Sequence, residues 1–403
     1  MVQNSRYDII YIDNFNNFYL FKEIFKLSKL RWLFIVFEKK KADECKRYDI
    51  NYTYVETNFI CKLSENYHQY KELYEIAITK DRILRYLPKA LATRIIDSQL
   101  KAVADVIKLS KPDLVVGEIS WGAEYLLYKY CESNNIRYRH LLNLPGESNK
   151  VAFFDSEHSY RSLLENSHCA TTNKRSHSYC YLCDKVKSYN NNKKWLTLKA
   201  LINIFDLDQL NDYKKLQIYY KLRRIIKSFY ILFEYVFMKM PNIAKDIRFV
   251  KEKYSSKRLL FFPLHIQPEC TPDFVSPEFN KQLDICIEIS LKLPREYILI
   301  VKDHPNDVSI RNIFKLIRMY CAPNIIIAKR QISSSELIDI SDSSISIAGT
   351  IAIESIKKGV RSFLFSNVFY TESSYVYRVF SVGELIDKIE QTKNDNVCND
   401  INT

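Results

Sequence analysis

Four short stretches in the C-terminal half of the chain collect residues that could bind a nucleoside phosphate. Pro263-Leu264-His265-Ile266-Gln267-Pro268-Glu269 follows the apolar run RLLFF, and Val301-Lys302-Asp303-His304-Pro305 closes the run YILIV. Lys329, Arg330 and then Ser333-Ser334-Ser335-Glu336 follow NIIIA, where a simple serine-capped helix start is the plainer reading. Ala348-Gly349-Thr350-Ile351-Ala352-Ile353-Glu354 passes from a strand pattern into a helical one. Imidazole and ammonium groups donate to phosphate oxygens. A histidine before proline is biased toward extended backbone, which at a strand end is expected to aim His304 into a ligand crevice. A helix opening at Gly349-Thr350 would present unpaired N–H groups and a positive dipole end. Glu354, one turn further, could accept from ribose hydroxyls. The expected pocket is therefore formed by His265, Gln267, Glu269, Lys302, His304, Gly349, Thr350 and Glu354, and it needs no glycine-rich loop.

Such residues act together only if strands deliver them to one edge, and the pattern of the chain supplies the strands. YDIIYID (7–13), WLFIVFE (32–38), DLVVGE (113–118) and IRYRHLL (136–142) read as strands. Between them, 15–30, 66–85, 90–110 and 122–134 have apolar residues at helical spacing. The alternation restarts after 256, with strands predicted at 258–264, 297–303, 324–328, 343–348 and 361–366. Helices are expected near 277–293, 309–321, 333–340 and 350–358, and a closing helix at 382–392. Strand and helix in alternation imply parallel sheets with helices on both faces. The expected fold class is α/β, with two doubly wound parallel-sheet domains facing a cleft. The expected bounds are an N-terminal α/β domain over 1–184, a basic helical connecting segment over 185–257, a nucleotide-binding α/β domain over 258–380, and a closing helix and tail over 381–403.

Composition excludes several classes. The chain has 403 residues, and its 23 Phe and 29 Tyr are too many for a disordered chain. It has only six glycines, and neither G-x-G-x-x-G nor G-x-x-x-x-G-K-S/T occurs. That removes the usual dinucleotide fold, P-loop nucleotidases and protein kinases. Residues 185–258 hold 18 Lys/Arg against 6 Asp/Glu, which is nearly all of the formal net charge of +13. The two α/β domains are thus close to neutral, and a nucleic-acid partner is not expected. The basic, aromatic-rich segment reads either as a solvated helical arm or as a face that rests on an anionic membrane. The start, MVQNSRYDIIYID, lacks signal-peptide features, and the ten cysteines read as reduced thiols. His168, Cys169, His177, Cys180 and Cys183 include one C-x-x-C but no second ligand pair, so no metal site is expected.

FFPLHIQPE, VKDHP, AGT-x-x-IE and a later Tyr370 together resemble the capsule and surface-polysaccharide biosynthesis family, which includes Kdo (3-deoxy-manno-octulosonate) transferases. The resemblance covers 256–372 and extends more faintly to PDLVVGE-x-x-WGAEYLLYKYCE and 145–156. Where the family often carries an arginine, within 143–150, this chain has Asn143, Glu147 and Asn149. The resemblance implies a GT-B fold, a CMP-activated acidic sugar as donor, CMP-Kdo foremost, and a glycan or glycolipid acceptor. It assigns the CMP moiety to His304, Thr350 and Glu354, places His265, Gln267 and Glu269 at the pocket mouth, and requires no cofactor. The N-terminal domain then lies on the acceptor side and should supply a carboxylate. Glu118, at the end of DLVVGE, is the first candidate for base or nucleophile, with Asp13 and Asp155 next; a carboxylate capping the following helix explains Glu118 equally well. The expected place of work is the cytoplasm, at the inner face of the bacterial plasma membrane. A GT-B sugar-nucleotide epimerase and a non-catalytic polysaccharide assembly or export subunit are the alternatives.

Overall fold

Runs of β-branched and aromatic residues without polar interruption can be buried only between two layers, and both halves of the chain place them there. In the computed structural model the described residues are 6–13, 18–56, 62–81, 84–143, 151–154, 243–244, 246–267, 271–304, 311–366 and 375–394. They fall into two compact units, 6–154 and 243–394.

The first unit holds strands β1 (Ile9–Asp13), β2 (Trp32–Val36), β3 (Tyr52–Tyr54), β4 (Leu114–Gly117), β5 (Tyr138–Asn143) and β6 (Val151–Phe154). Their order in the sheet is β3-β2-β1-β4-β5-β6. All neighbours are parallel except β5 and β6, which pair antiparallel. Helices α1 (Phe18–Leu27), α2 (Lys39–Arg47), α3 (Glu65–Gln69), α4 (Lys71–Lys80), α5 (Lys89–Ser110) and α6 (Gly122–Ser133) complete the unit. In α5 the residues Ala92, Ile95, Ile96, Leu100, Val103 and Ile107 form one buried stripe at three- and four-residue spacing. α2 has no such stripe. Its sequence, KKKADECKR, buries only Ala42 and Cys45, too narrow a face for periodicity to reveal.

The second unit holds β7 (Ile243–Ala244), β8 (Arg258–Pro263), β9 (Tyr297–Lys302), β10 (Ile325–Ala328), β11 (Ser343–Ser346), β12 (Arg361–Leu364) and β13 (Val376–Arg378). The order is β13-β12-β11-β8-β9-β10-β7, with every pair parallel. The five expected strands thus form the centre, and two short edge strands extend the sheet. One of them, β7, comes from the end of the segment read as the basic connector. The helices are α7 (Ile247–Lys253), α8 (Gln282–Lys292), α9 (Ile313–Cys321), α10 (Ser334–Asp339), α11 (Ile351–Lys357) and α12 (Val382–Thr392).

Both faces of this sheet are covered, and successive residues divide between two cores. Leu260, Phe262, Leu299 and Val301 join one apolar cluster with α8, α9 and α12. Leu259, Phe261, Ile298 and Ile300 join the other with Val250 of α7, Leu337 of α10 and Ile351 of α11. Local signals start the helices: Asn312 Oδ1 accepts from the N–H groups of Phe314 and Lys315 at the start of α9. Ser381 Oγ accepts from Glu384 N, while Glu384 Oε2 accepts from Phe380 N, at the start of α12.

The two orders fix where each sheet changes direction. In the second unit the chain moves outward from β8 through β9 to β10, then crosses back to place β11 on the other side of β8. In the first it moves from β1 through β2 to β3, then returns to place β4 beside β1. In open parallel sheets the crevice at such a switch point, at the carboxyl ends of the strands, is the place for a ligand. These are the β8/β11 and β1/β4 strand ends.

Candidate functional site

At the β8/β11 switch point the ladder is registered at Ser343 with Leu260 and Ser344 with Phe261. Beyond it the two strand ends are joined by side chains: His265 Nε2 lies 3.3 Å from Ser346 Oγ, which also accepts from Gly349 N at 2.8 Å. The approach is tight. A Cβ on Gly349 would lie 2.7 Å from Ser346 Oγ and 3.1 Å from His265 Cε1, so this position takes glycine. The His265 peptide is held on both sides by Gln282, whose Oε1 accepts from His265 N at 2.6 Å while its Nε2 donates to His265 O at 3.2 Å. Gln267 donates to the Asn280 carbonyl and to Asp273 Oδ1, which anchors the same loop.

β9 pairs with β8 as far as Lys302 opposite Pro263 and delivers Lys302, Asp303 and His304 to this edge. Lys302 is 5% exposed, and its Nζ donates to Ser334 Oγ at 2.9 Å. Burial pushes the ammonium down to about 8, partly opposed by the charges of Asp303 and Glu354. Asp303 accepts from Arg311 and Arg330 as well as from His304 N. Glu354, half-buried on α11, is raised above the usual carboxylate range by burial, with Lys358 and Lys302 pulling the other way. Thr350 is exposed at the start of α11, in a helical conformation and without a side-chain cap bond.

The structure therefore brings His265, Gln267, Lys302, His304, Gly349, Thr350 and Glu354 to the carboxyl edge of one sheet. Glu269 and Tyr370 lie outside the described residues. The serine stretch has two roles: Ser333 N donates to Glu336 Oε2 at the helix start, and Ser334 receives Lys302. Gln282 and Arg311 carried no sequence signal, because each lies on a neighbouring helix or loop at no characteristic spacing from the histidines.

In the first unit Asp13 and Glu118 reach the matching edge, since Ile12 pairs with Gly117. Their surroundings differ. The Asp13 side chain is fully buried and lies 2.6 Å from Lys41 Nζ. It also accepts from Tyr11 Oη at 3.0 Å, and burial still lifts its carboxyl above the usual range. Glu118 is half-buried. The cap of α6 is built from other carboxylates: Glu124 Oε2 accepts from the N–H groups of Ser120 and Trp121, and Asp81 Oδ2 accepts from Gly122 N. Ile119 N donates to Nδ1 of His140 at 2.9 Å, which leaves the proton of the neutral ring on Nε2. Burial pushes that imidazole down to about 4, so it stays neutral near pH 7 while it holds the backbone next to Glu118. Asp155 lies outside the described residues. So do His168, Cys169, His177, Cys180 and Cys183; among the described residues no group of three or more His, Cys, Asp or Glu could hold a metal ion. No helix among them is long and apolar enough to cross a membrane.

Each unit is a doubly wound α/β sheet, parallel throughout in the second and parallel but for β5/β6 in the first, the pair of sheets that a GT-B reading expects. No family model matches the sequence, and no curated protein matches it. Among solved structures the chain is similar to the beta Kdo 2,7 transferase KpsC of Thermosulfurimonas dismutans, at 12% identity and a TM-score of 0.35 over 70% of this chain and 74% of that one. It is also similar to the UDP-GlcNAc 2-epimerase of Methanocaldococcus jannaschii in complex with UDP-GlcNAc and UDP, at 12% identity and a TM-score of 0.34 over 97% and 93%. A glycosyltransferase of Rickettsia africae is a third, at 13% and 0.34 over 97% and 90%.

The depressed lysine gives a stability test with a definite sign. A charged Lys302 costs the folded state free energy at every pH below about 8, and the cost fades as pH rises toward 10.5. Lys302→Met should therefore raise Tm at pH 7 by a few degrees, roughly 1–3 kcal/mol, and lose that advantage by about pH 10.5. A lower Tm for the variant at pH 7 would contradict the burial argument.

Proposed function

We propose that this chain is a glycosyltransferase that takes a CMP-activated acidic sugar, CMP-Kdo being the first candidate, and passes it to a glycan or glycolipid acceptor of a bacterial surface polysaccharide. The observation that carries the proposal is that a buried lysine, two histidines and a carboxylate stand at the carboxyl ends of β8, β9 and β11. A nucleoside monophosphate presents groups of the matching kinds: phosphate oxygens for Lys302, His304 and the start of α11, and ribose hydroxyls for Glu354. When the bond between the anomeric carbon and the phosphate oxygen breaks, negative charge grows on that oxygen. Donors held in a water-poor setting stabilise it in proportion to how little they must reorganise. Lys302, buried and fixed by Ser334, meets that condition, and Asp303 holds the backbone of His304 next to it. The acceptor hydroxyl loses its proton as it attacks, and we assign this proton to Glu118. Asp13 is the less suitable base because Lys41 already neutralises it in a closed setting. The basic segment 185–257 would bring the enzyme to the anionic inner face of the plasma membrane, where a lipid-linked acceptor is anchored.

Three measurements follow. Calorimetry should show CMP bound in preference to UMP and GMP, with His304→Ala weakening CMP roughly tenfold or more through loss of a charge-assisted hydrogen bond. Selective UMP binding would replace the donor class, and no nucleotide binding by the folded protein would sink the transferase reading. Glu118→Gln should lower kcat by about 10²–10⁴-fold with CMP affinity unchanged, as expected for loss of a general base; near-normal turnover would remove Glu118 from the chemistry. Vesicles containing phosphatidylglycerol should sediment the protein at low salt and release it as salt is raised. Equal sedimentation with neutral vesicles would count against the basic segment as the contact.

A further inference from the structure

Arg311 lies just outside the cluster that would touch a ligand, yet it is tied to both strand ends that carry the two histidines. Its side chain is 5% exposed. Nη2 donates to the His265 carbonyl at 3.0 Å and to Asp303 Oδ1 at 2.8 Å, and Nε donates to the same carboxylate oxygen at 3.3 Å. Asp303 Oδ1 also accepts from His304 N at 3.1 Å, and Asp303 Oδ2 accepts from Arg330. One guanidinium thus holds the backbone of His265 directly and that of His304 through Asp303. The fork matters: a planar guanidinium can serve two acceptors in fixed directions at once, which a lysine ammonium on a flexible stem does not. A buried cation also demands a complete set of partners, so Arg311 does not move without disturbing both loops.

We infer that Arg311, with Asp303 and Arg330, is a positioning device that sets the two imidazoles of the β8 and β9 strand ends relative to each other before any ligand arrives. The inference rests on the nucleotide-site reading for its purpose, but the coupling between Arg311 and the histidines exists in the protein alone. Arg311 is a positioning residue and not a catalytic one: the hydrogen bonds above go to protein backbone and carboxylate.

The test has two parts. In the ligand-free protein labelled with ¹⁵N-histidine, Arg311→Ala should shift or broaden the imidazole signals of His265 and His304 while those of His68 and His140, in the other unit, stay in place. Arg311→Lys keeps the charge and loses the fork; it provides a folded variant if alanine is not tolerated, and it should disturb the same two signals. In CMP binding, Arg311→Ala should cost about tenfold in the wild-type background and less than about twofold on top of His265→Ala and His304→Ala together. Such non-additivity is what two residues acting through one another produce. Unmoved His265 and His304 signals would overturn the inference, and so would an undiminished loss of affinity in the histidine-free background. If the wild-type protein binds no nucleotide, the proposed function fails on that ground, and the imidazole signals still decide whether the clamp exists.

Discussion

Parallel strands covered on both faces leave polar side chains one outlet, the strand ends. Leu259 to Phe262 and Ile298 to Val301 are buried residue after residue, and their backbone groups are satisfied within the ladder. Any residue in these strands that must meet a ligand has to wait until the ladder stops. It stops for β8 at Pro263 and for β9 at Lys302, and two residues further along each chain segment stand His265 and His304. The order of the strands then decides which ends adjoin. Because β11 returns to the side of β8 away from β9, Gly349 and Ser346 come to lie against His265.

Charge at this edge is held by opposite charge and by hydroxyls. Arg311 and Arg330 pair with Asp303, Arg311 also donates to the His265 carbonyl, and Lys302 donates to Ser334. Such a network contributes little to net stability, because desolvation offsets most of the attraction. What it does contribute is a fixed geometry, which favours a charged transition state that donors need not move to meet. Behind it, hydroxyls replace hydrocarbon in the core: Ser355 of α11 donates to Ser344 of β11, which donates to Ser362 of β12. These small side chains satisfy one another and leave α11 close to the sheet, which bears on where Thr350 and Glu354 stand.

The first unit applies the same rule to carboxylates. β1 and β4 end side by side and deliver Asp13 and Glu118 together, but Lys41 from α2 closes over Asp13. Glu124 and Asp81 take up the N–H groups at the start of α6, and His140 fixes the backbone beside Glu118. A buried carboxylate already engaged by a close ammonium has its charge spent. One beside a neutral imidazole, with the helix cap supplied from elsewhere, is differently placed for proton transfer.

Sequence alone determined the elements with strong periodicity and the residues at their ends. The central strands of both sheets, the helices from α5 to α6 and α8 to α12, and the second unit's cluster from His265 to Glu354 were all legible, because burial on two faces forces unbroken apolar runs and polar residues then mark where they end. Short or polar elements escaped: β3, β6, β7 and β13 are the edge strands of their sheets, and α2 buries two residues only. Partners escaped as well. That Asp303 sits among Arg311, Arg330 and the backbone of His304, that Lys302 meets Ser334, and that Lys41 neutralises Asp13 follow from which strand ends adjoin. Tertiary structure decided these contacts because the side-chain pairs are up to 32 residues apart in the chain, and no local spacing encodes a meeting that only the sheet order brings about.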